Sequence, residues 1–466
     1  MKIAFGKALI TPDNYVGMPL AGYTRKDVCR GKLDDIFVHG VLIEEGYLGN
    51  LVKRILLIST DLLKLSMLFN NYVKERIFEK YRISPGQILI HATHTHAAPD
   101  LTGEFTYPGG VLNTVRGILF GKPADKYFIE IAGKIEKLVG ELIENLVPCK
   151  MAWAKEKIEE DLIINRRHPT RRSKFDLGVI SFKGLENGKL LGMIVNYAAH
   201  GTTLSNENLK LSADYIGRMV HRIEELTNNE TKAVYFNGPS GDINPITTCG
   251  SDFDEMEKDY SHIYEQKGTY EDTIRLGYFL GERSIKLANS IKDSQYVNTL
   301  NVKVYQKIFS IPMKDINASF NFQFLLNKLL YWVKRYFLLP ILLAKPKPNF
   351  PSISLKKKRN KINIYTMIQI FEINTKKGTF YITGVPGELF EDIGKKILDV
   401  TPTGKENQFI FQNTNDWVGY LFPLKEYTRG GYEILPTFSP LGGEYIQKEA
   451  LKFYEEIKNN ANFHHF

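Results

Sequence analysis

The segment Ile88-Leu89-Ile90-His91-Ala92-Thr93-His94-Thr95-His96 is an apolar run ending in three of the chain's ten histidines. On a strand, side chains two residues apart share a face, so His94 and His96 can point together at one site beyond the strand's end. Paired imidazoles suit a zinc ion, and histidine also moves protons near neutral pH. The same grouping occurs as a purely structural feature, so the segment alone leaves both readings open.

Three other segments carry candidate chemistry. His200 closes the apolar run Val195-Asn196-Tyr197-Ala198-Ala199-His200, where a ligand and a capped structural histidine fit equally well. Glu388 stands in Thr383-Gly384-Val385-Pro386-Gly387-Glu388, a strand followed by a turn and a helix start. A glutamate there also simply favours the helix dipole. The loop Asn237-Gly238-Pro239-Ser240-Gly241-Asp242-Ile243-Asn244-Pro245 is built from ordinary turn residues that can equally line a site.

Elements able to hold these groups alternate along the chain. Apolar, β-branched runs predict strands at 54–60, 88–92, 193–197, 233–236, 367–373, 379–383 and 408–412, with a hairpin turn over 374–378. Apolar spacing at Tyr127, Ile131, Ile135, Leu138 and Leu142 predicts an amphipathic helix over 124–146, with Pro123 at its start. Further helices are expected at 212–226, around 269–290 and at 444–457. This alternation predicts an α/β fold of layered mixed sheets flanked by helices, and 43% hydrophobic residues suffice for its core.

The net charge of +9 is concentrated in one place. Between Ile316 and Phe371 there are ten bases and no acid, and the remainder is close to neutral, which argues against nucleic acid as a partner. Within that window, 322–344 is apolar but interrupted by three charges and Pro340, too broken to span a bilayer. Asn327, Lys328, Tyr331, Lys334 and Arg335 share one helical face, and Leu325, Leu329, Leu330, Trp332, Val333 and Phe337 share the wider remainder. Two arrangements fit: a solvated helix packed on the domain, followed by the basic loop at Lys345-Pro346-Lys347-Pro348 and Lys356-Lys357-Lys358-Arg359, or peripheral contact with a lipid surface. The three cysteines, Cys29, Cys149 and Cys249, form no close pair and suggest a reducing compartment. The N-terminus has no apolar run of signal length, so a cytoplasmic location is expected, with peripheral membrane contact the lipid-surface variant of it.

Taken in order, these pieces resemble the neutral/alkaline (non-lysosomal) ceramidase family, specifically its N-terminal catalytic domain. The shared wording runs through Gly6-Lys7-Ala8-Leu9-Ile10-Thr11-Pro12, Leu20-Ala21-Gly22-Tyr23, Ser59-Thr60-Asp61, Thr93-His94-Thr95-His96 and Asn165-Arg166-Arg167. It continues through Tyr197-Ala198-Ala199-His200, Ser212-Ala213-Asp214, Gly241-Asp242-Ile243-Asn244-Pro245, Pro386-Gly387-Glu388 and Asn415-Asp416-Trp417-Val418-Gly419-Tyr420. The resemblance implies one ceramidase-like catalytic domain over 1–466, with the basic amphipathic insertion at 316–361 and without the family's C-terminal immunoglobulin-like domain. It also implies zinc (Zn2+) held by His94, His200, Glu388 and Tyr420. His96 would then sit beside the metal as proton handler, Arg166 would touch the substrate's polar head, and Tyr432, twelve residues beyond Tyr420, would face the oxyanion.

One departure bears on mechanism. The family loop carries a serine regarded as catalytic, and here that position is Asn244. A carboxamide is no such nucleophile, though it can orient water or donate to an oxyanion. The expected activity is therefore zinc-dependent amidohydrolysis of an N-acyl amide in a ceramide-like or other amphiphilic lipid, through zinc-activated water. The alternatives are a zinc esterase or lactonase, and a non-catalytic lipid-binding homologue that lost turnover with the serine. The presence of His94, His96, His200, Glu388 and Tyr420 argues against the last.

Overall fold

The computed structural model describes residues 1–48, 51–103, 124–249, 268–313, 322–338, 355–358 and 361–463. Pro123, the loop at Lys345 to Pro348, and Arg359 lie outside the described residues. Two mixed sheets face each other. The first has eight strands: β1 (Lys2–Leu9), β2 (Phe37–Leu48), β3 (Leu51–Thr60), β4 (Ile88–Ala92), β5 (Val147–Lys157), β6 (Asp176–Gly184), β7 (Leu190–Tyr197) and β8 (Lys232–Asn237). Their order is β8-β7-β6-β5-β1-β2-β3-β4, with the two outermost pairs, β7/β8 and β3/β4, parallel and the rest antiparallel. The second sheet is β9 (Asn301–Pro312), β10 (Lys361–Thr375), β11 (Gly378–Gly384) and β12 (Gln408–Phe411), in that order, and β11/β12 are parallel. The short strand Leu355–Lys358, carrying three of the basic residues, pairs with β10.

Between the sheets lies an apolar layer that includes Leu57, Leu89, Ile180, Ile194, Phe236, Phe371, Phe380 and Phe411. Helices cover the outer faces. The predicted amphipathic helix, here α2 (Asp125–Glu144), joins α1 (Met67–Tyr81) over one half of the first sheet, with Tyr127, Ile131, Ile135, Leu138 and Leu142 all buried. Gly6 and Gly40 let it approach, because a Cβ at either would meet Leu138 and Leu142. Over the other half lie α3 (Asp214–Leu226) and α4 (Tyr270–Ser290), the latter opened by a Thr269/Asp272 capping box. The second sheet is backed by α6 (Glu391–Asp399) and α8 (Gly442–Phe463). Strands covered on both faces read as continuous apolar runs, which is why β4 and β7 stand out in the sequence.

The remaining helices border the site. The basic amphipathic segment forms α5 (Phe322–Val333), continued by a wider turn over Lys334–Leu338, and packs against α7 (Leu424–Arg429). No helix among the described residues is long and apolar enough to cross a membrane.

Candidate functional site

The first sheet curls until its two edge strands meet. His91 on β4 closes them: its Nε2 accepts from the Asn237 amide at the end of β8 at 3.1 Å. The proton must then sit on Nδ1, which donates to Ser59 Oγ at 2.9 Å, and that hydroxyl donates to the Tyr235 carbonyl at 2.7 Å. Both nitrogens of His91 are used. Burial, with the neighbouring His94 adding to it, lowers its pKa to about 3, so the ring is neutral. This closure brings the carboxyl ends of β4 and β7 together, where a parallel bridge joins Thr95 to Gly201. A Cβ at Gly201 would lie 2.6 Å from the His94 carbonyl oxygen, so only glycine permits the approach.

His94, His96 and His200 converge there, buried, with ligand atoms within 4.8 Å of one another. His94 adopts a left-handed backbone (φ 68°), an uncommon state for a residue other than glycine. Its amide donates to the Leu62 carbonyl at 3.0 Å and its Nδ1 donates to the Leu63 carbonyl at 2.7 Å. His200 likewise donates Nδ1–H to the Ser240 carbonyl at 2.9 Å. With the proton fixed on Nδ1, each ring turns a bare Nε2 lone pair into the site. The two Nε2 atoms lie 3.1 and 3.4 Å from the same oxygen, Glu388 Oε2, and none of the three atoms has a hydrogen-bond partner among the described residues. Three acceptors facing one another are unfavourable unless a proton or cation lies between them.

Burial, and then the nearby His94, lowers the His200 pKa to about 3. Burial pushes the Glu388 carboxyl up, but His94, His200 and the Tyr420 hydroxyl outweigh it and hold it at about 2. The other oxygen of Glu388 accepts from Trp417 Nε1 at 3.0 Å. Glu388 and Tyr420 are register partners in a short parallel pair, Glu388–Leu389 with Tyr420–Leu421. His96 completes the group, its ring 5.0 Å from His94 and 5.2 Å from His200. Both its nitrogens lack a partner among the described residues, and burial, reinforced by the surrounding rings and arginines, drives its pKa well below the ordinary value. Tyr23 packs on His96 at 4.5 Å, and Gly22 leaves room that a Cβ would fill 2.4 Å from the ring.

Beside this group lies a second buried cluster. Arg166 Nε donates to Glu433 Oε1 at 3.0 Å, and its Nη1 donates to Asn244 Oδ1 at 2.8 Å. Arg167 bonds Glu433 Oε2 at 2.9 Å and Glu426 Oε2 at 3.0 Å. The Arg166 guanidinium lies 5.6 Å from the Tyr420 ring and 5.3 Å from that of Tyr432, and the two rings are 6.1 Å apart. Tyr432 is 39% exposed, so this side of the site opens to solvent. Asn244 Oδ1 is thus used as an acceptor for Arg166, which ties the carboxamide to this cluster.

The sequence matches no protein-family model, and a search of curated proteins gives no match. Similar solved structures include two ceramidases. Neutral ceramidase from Pseudomonas aeruginosa superposes with a TM-score of 0.70 at 17% identity, covering 98% of this chain and 74% of that one. A ceramidase complexed with C2 gives 0.70 at 16% identity, covering 98% and 75%. The chain has the neutral ceramidase fold.

Within that fold, His94, His96, His200, Glu388, Tyr420, Asn244, Arg166 and Tyr432 all gather at one place, drawn from loops more than 300 residues apart. Several supports were not singled out from sequence. Trp417, inside a quoted motif, orients Glu388. Asp214, also left-handed (φ 59°), accepts from the Thr203 and Leu204 amides at 3.1 Å and so fixes the loop after His200. Asn165 donates to Asp242 and Glu391, each at 2.8 Å, which turns the chain so that Arg166 points inward. Glu426 and Glu433 carry no sequence signal, because their partners are more than 250 residues away.

Proposed function

We propose that this chain is a zinc-dependent amidohydrolase that cleaves an N-acyl amide bond in a ceramide-like amphiphile. The observation that carries the reading is a set of three atoms without a hydrogen-bond partner among the described residues, His94 Nε2, His200 Nε2 and Glu388 Oε2, inside a neutral ceramidase fold. Imidazole nitrogen and carboxylate oxygen are the donor set zinc prefers, and the carbonyls behind both histidines fix the tautomer that zinc requires. Tyr420, adjacent to Glu388, would be the fourth ligand; its phenol, raised well above the ordinary pKa by burial and Glu388, needs a cation to ionise. When bound, zinc would polarise the scissile carbonyl and acidify water.

The protein's own groups complete the reaction. His96 is neutral and takes the proton of the attacking water. The water oxygen bonds to the acyl carbon, the C–N bond breaks, and His96 returns the proton to the departing amine nitrogen. The Asn244 amide and the Tyr432 hydroxyl donate to the developing oxyanion, and the charge of Arg166 favours a polar headgroup. Ester hydrolysis uses the same groups and is the second reading.

Metal analysis followed by turnover of fluorogenic amides and esters of graded acyl length tests both. The expected result is bound zinc with preference for amides bearing an acyl chain. Protein without zinc, or zinc-loaded protein inert on every substrate, would overturn the enzyme reading. His96→Ala should keep zinc and lose about two to four orders of magnitude in turnover.

A further inference from the structure

Helix α5 is built inside out. Its polar stripe faces the protein: Asn327 Nδ2 donates to the Tyr427 carbonyl, Lys334 Nζ to the carbonyls of Ile434 and Thr437, the latter at 2.9 Å, and Arg335 to the Met313 carbonyl at 3.0 Å. Asn327 and Lys334 are buried. Its apolar stripe faces outward, with Leu329 57%, Trp332 50%, Tyr336 56% and Phe337 55% exposed. The Trp332 ring lies 5.4 Å from Tyr336 and 5.6 Å from Phe337, an aromatic cluster with no protein over it among the described residues. An ordinary surface helix such as α2 does the reverse and buries its leucines. Holding α5 this way round costs apolar exposure, which side-chain bonds to four carbonyls enforce.

Charge identifies what covers this face. The helix lies in the window of ten bases and no acid, three of them the lysines of the strand Leu355–Lys358 that pairs with β10. A second copy of the chain would bring one such window against another and be repelled. An anionic bilayer offers both an apolar interior for Trp332, Phe337 and Leu329 and negative headgroups for the lysines. The helix is also tied to the site. The carbonyls that Lys334 grips belong to the segment carrying Tyr432, Glu433 and the exposed Leu435, and Thr437 Oγ1 accepts from the Tyr420 amide at 3.0 Å.

We infer that the outer face of α5 docks the protein peripherally on an anionic membrane and sets the tyrosine side of the site against the lipid surface. Docking stands on this surface and does not depend on the reaction proposed above.

The test is sedimentation of the full chain with phosphatidylcholine vesicles and with mixed phosphatidylcholine–phosphatidylserine vesicles. The parent should bind the mixed vesicles and bind neutral ones far less, with Trp332 emission shifting to the blue. Combined Leu329→Glu, Trp332→Glu and Phe337→Glu should weaken binding at least about ten-fold while leaving the melting temperature and turnover of a water-soluble amide unchanged. Lys356→Gln, Lys357→Gln and Lys358→Gln should weaken binding to mixed vesicles only. If the triple glutamate variant unfolds, Trp332→Glu alone provides the comparison. A parent that ignores both vesicles, a glutamate variant that binds as the parent does, or a parent dimer dissolved by the glutamate variant would each overturn the proposal.

Discussion

Two buried polar clusters sit side by side in this protein and are finished in opposite ways. In the Arg166–Arg167–Glu426–Glu433 cluster every named charge faces an opposite one at about hydrogen-bond distance, between 2.9 and 3.0 Å. In the His94–His200–Glu388 cluster three atoms face one another at 3.1 and 3.4 Å, and none of them has a hydrogen-bond partner among the described residues. Buried polar groups are ordinarily satisfied, because leaving one bare costs about 1–3 kcal/mol. The chain meets that rule in the arginine cluster and again at His91. The difference marks the histidine cluster as the one of the two that is open to a proton or a cation, with the arginine cluster as scaffold for the tyrosines facing it.

The largest effect should come from removing the donors of the unfinished cluster. His94→Ala and His200→Ala are each expected to reduce zinc content from about one ion per chain to nearly none, since the site is left with one imidazole, one carboxylate and a phenol that binds only when ionised. Elemental analysis of purified protein measures it. Full zinc in the His200 variant would break the distinction between the clusters and refute this ligand set.

The finished cluster should respond in stability instead. Arg167→Ala takes one partner each from Glu433, which keeps Arg166, and Glu426, which keeps its bond to His168, so the loss should fall below the about 3–5 kcal/mol of a fully broken buried pair. Urea denaturation should show that loss, while zinc content of the folded variant stays at the parent's level. Zinc lost without loss of stability would mean that the two clusters are one.

A smaller effect separates His91 from its neighbours. Its pKa is lowered from 6.5 to about 3 by burial, so between those values the unfolded chain binds a proton that the folded chain does not. Stability therefore falls as pH drops below about 6.5, at about 1.4 kcal/mol per pH unit for this one ring. His91→Gln removes that contribution. The stability gap between parent and variant should narrow by roughly 2 kcal/mol between pH 7 and pH 5. A gap independent of pH would show that His91 does not close the sheet as a neutral ring.

These contrasts also show what the sequence could carry. Helix α2 was legible because Tyr127 to Leu142 repeat at helical spacing, and β4 and β7 because strands covered on both sides are apolar throughout. The strands β1, β2, β5, β6 and β9 were not read; in β1, for instance, the half-exposed stretch Lys2–Leu9 mixes lysine and glycine into the pattern. His94 and His200 were legible as polar ends of apolar runs, and family order joined them to Glu388 and Tyr420. Their tautomers were not, because these depend on the Leu63 and Ser240 carbonyls. Nor could spacing separate His91 from His94: one ring is satisfied by Asn237 and Ser59 from the sheet's opposite edges, the other is left open. For α5, periodicity defined two faces but not which one meets the protein, as Asn327 and Lys334 are held by carbonyls about one hundred residues away.

Asn244 offers the finest test, because its oxygen accepts from Arg166 of the paired cluster while the resemblance puts a catalytic serine at its position. Replacing it with the serine expected from the resemblance should leave zinc content unchanged and cost about 1 kcal/mol or less in stability, since one hydrogen bond to Arg166 is altered rather than a charge unpaired. What should change is turnover. A serine hydroxyl here can itself attack an acyl carbon, with His96 taking its proton, so Asn244→Ser is expected to raise cleavage of an N-acyl sphingoid amide relative to the parent. Steady-state assays of both proteins on the same amide decide it. Equal turnover in a folded, zinc-loaded variant would mean that this position belongs with the arginine scaffold and does not set the chemistry.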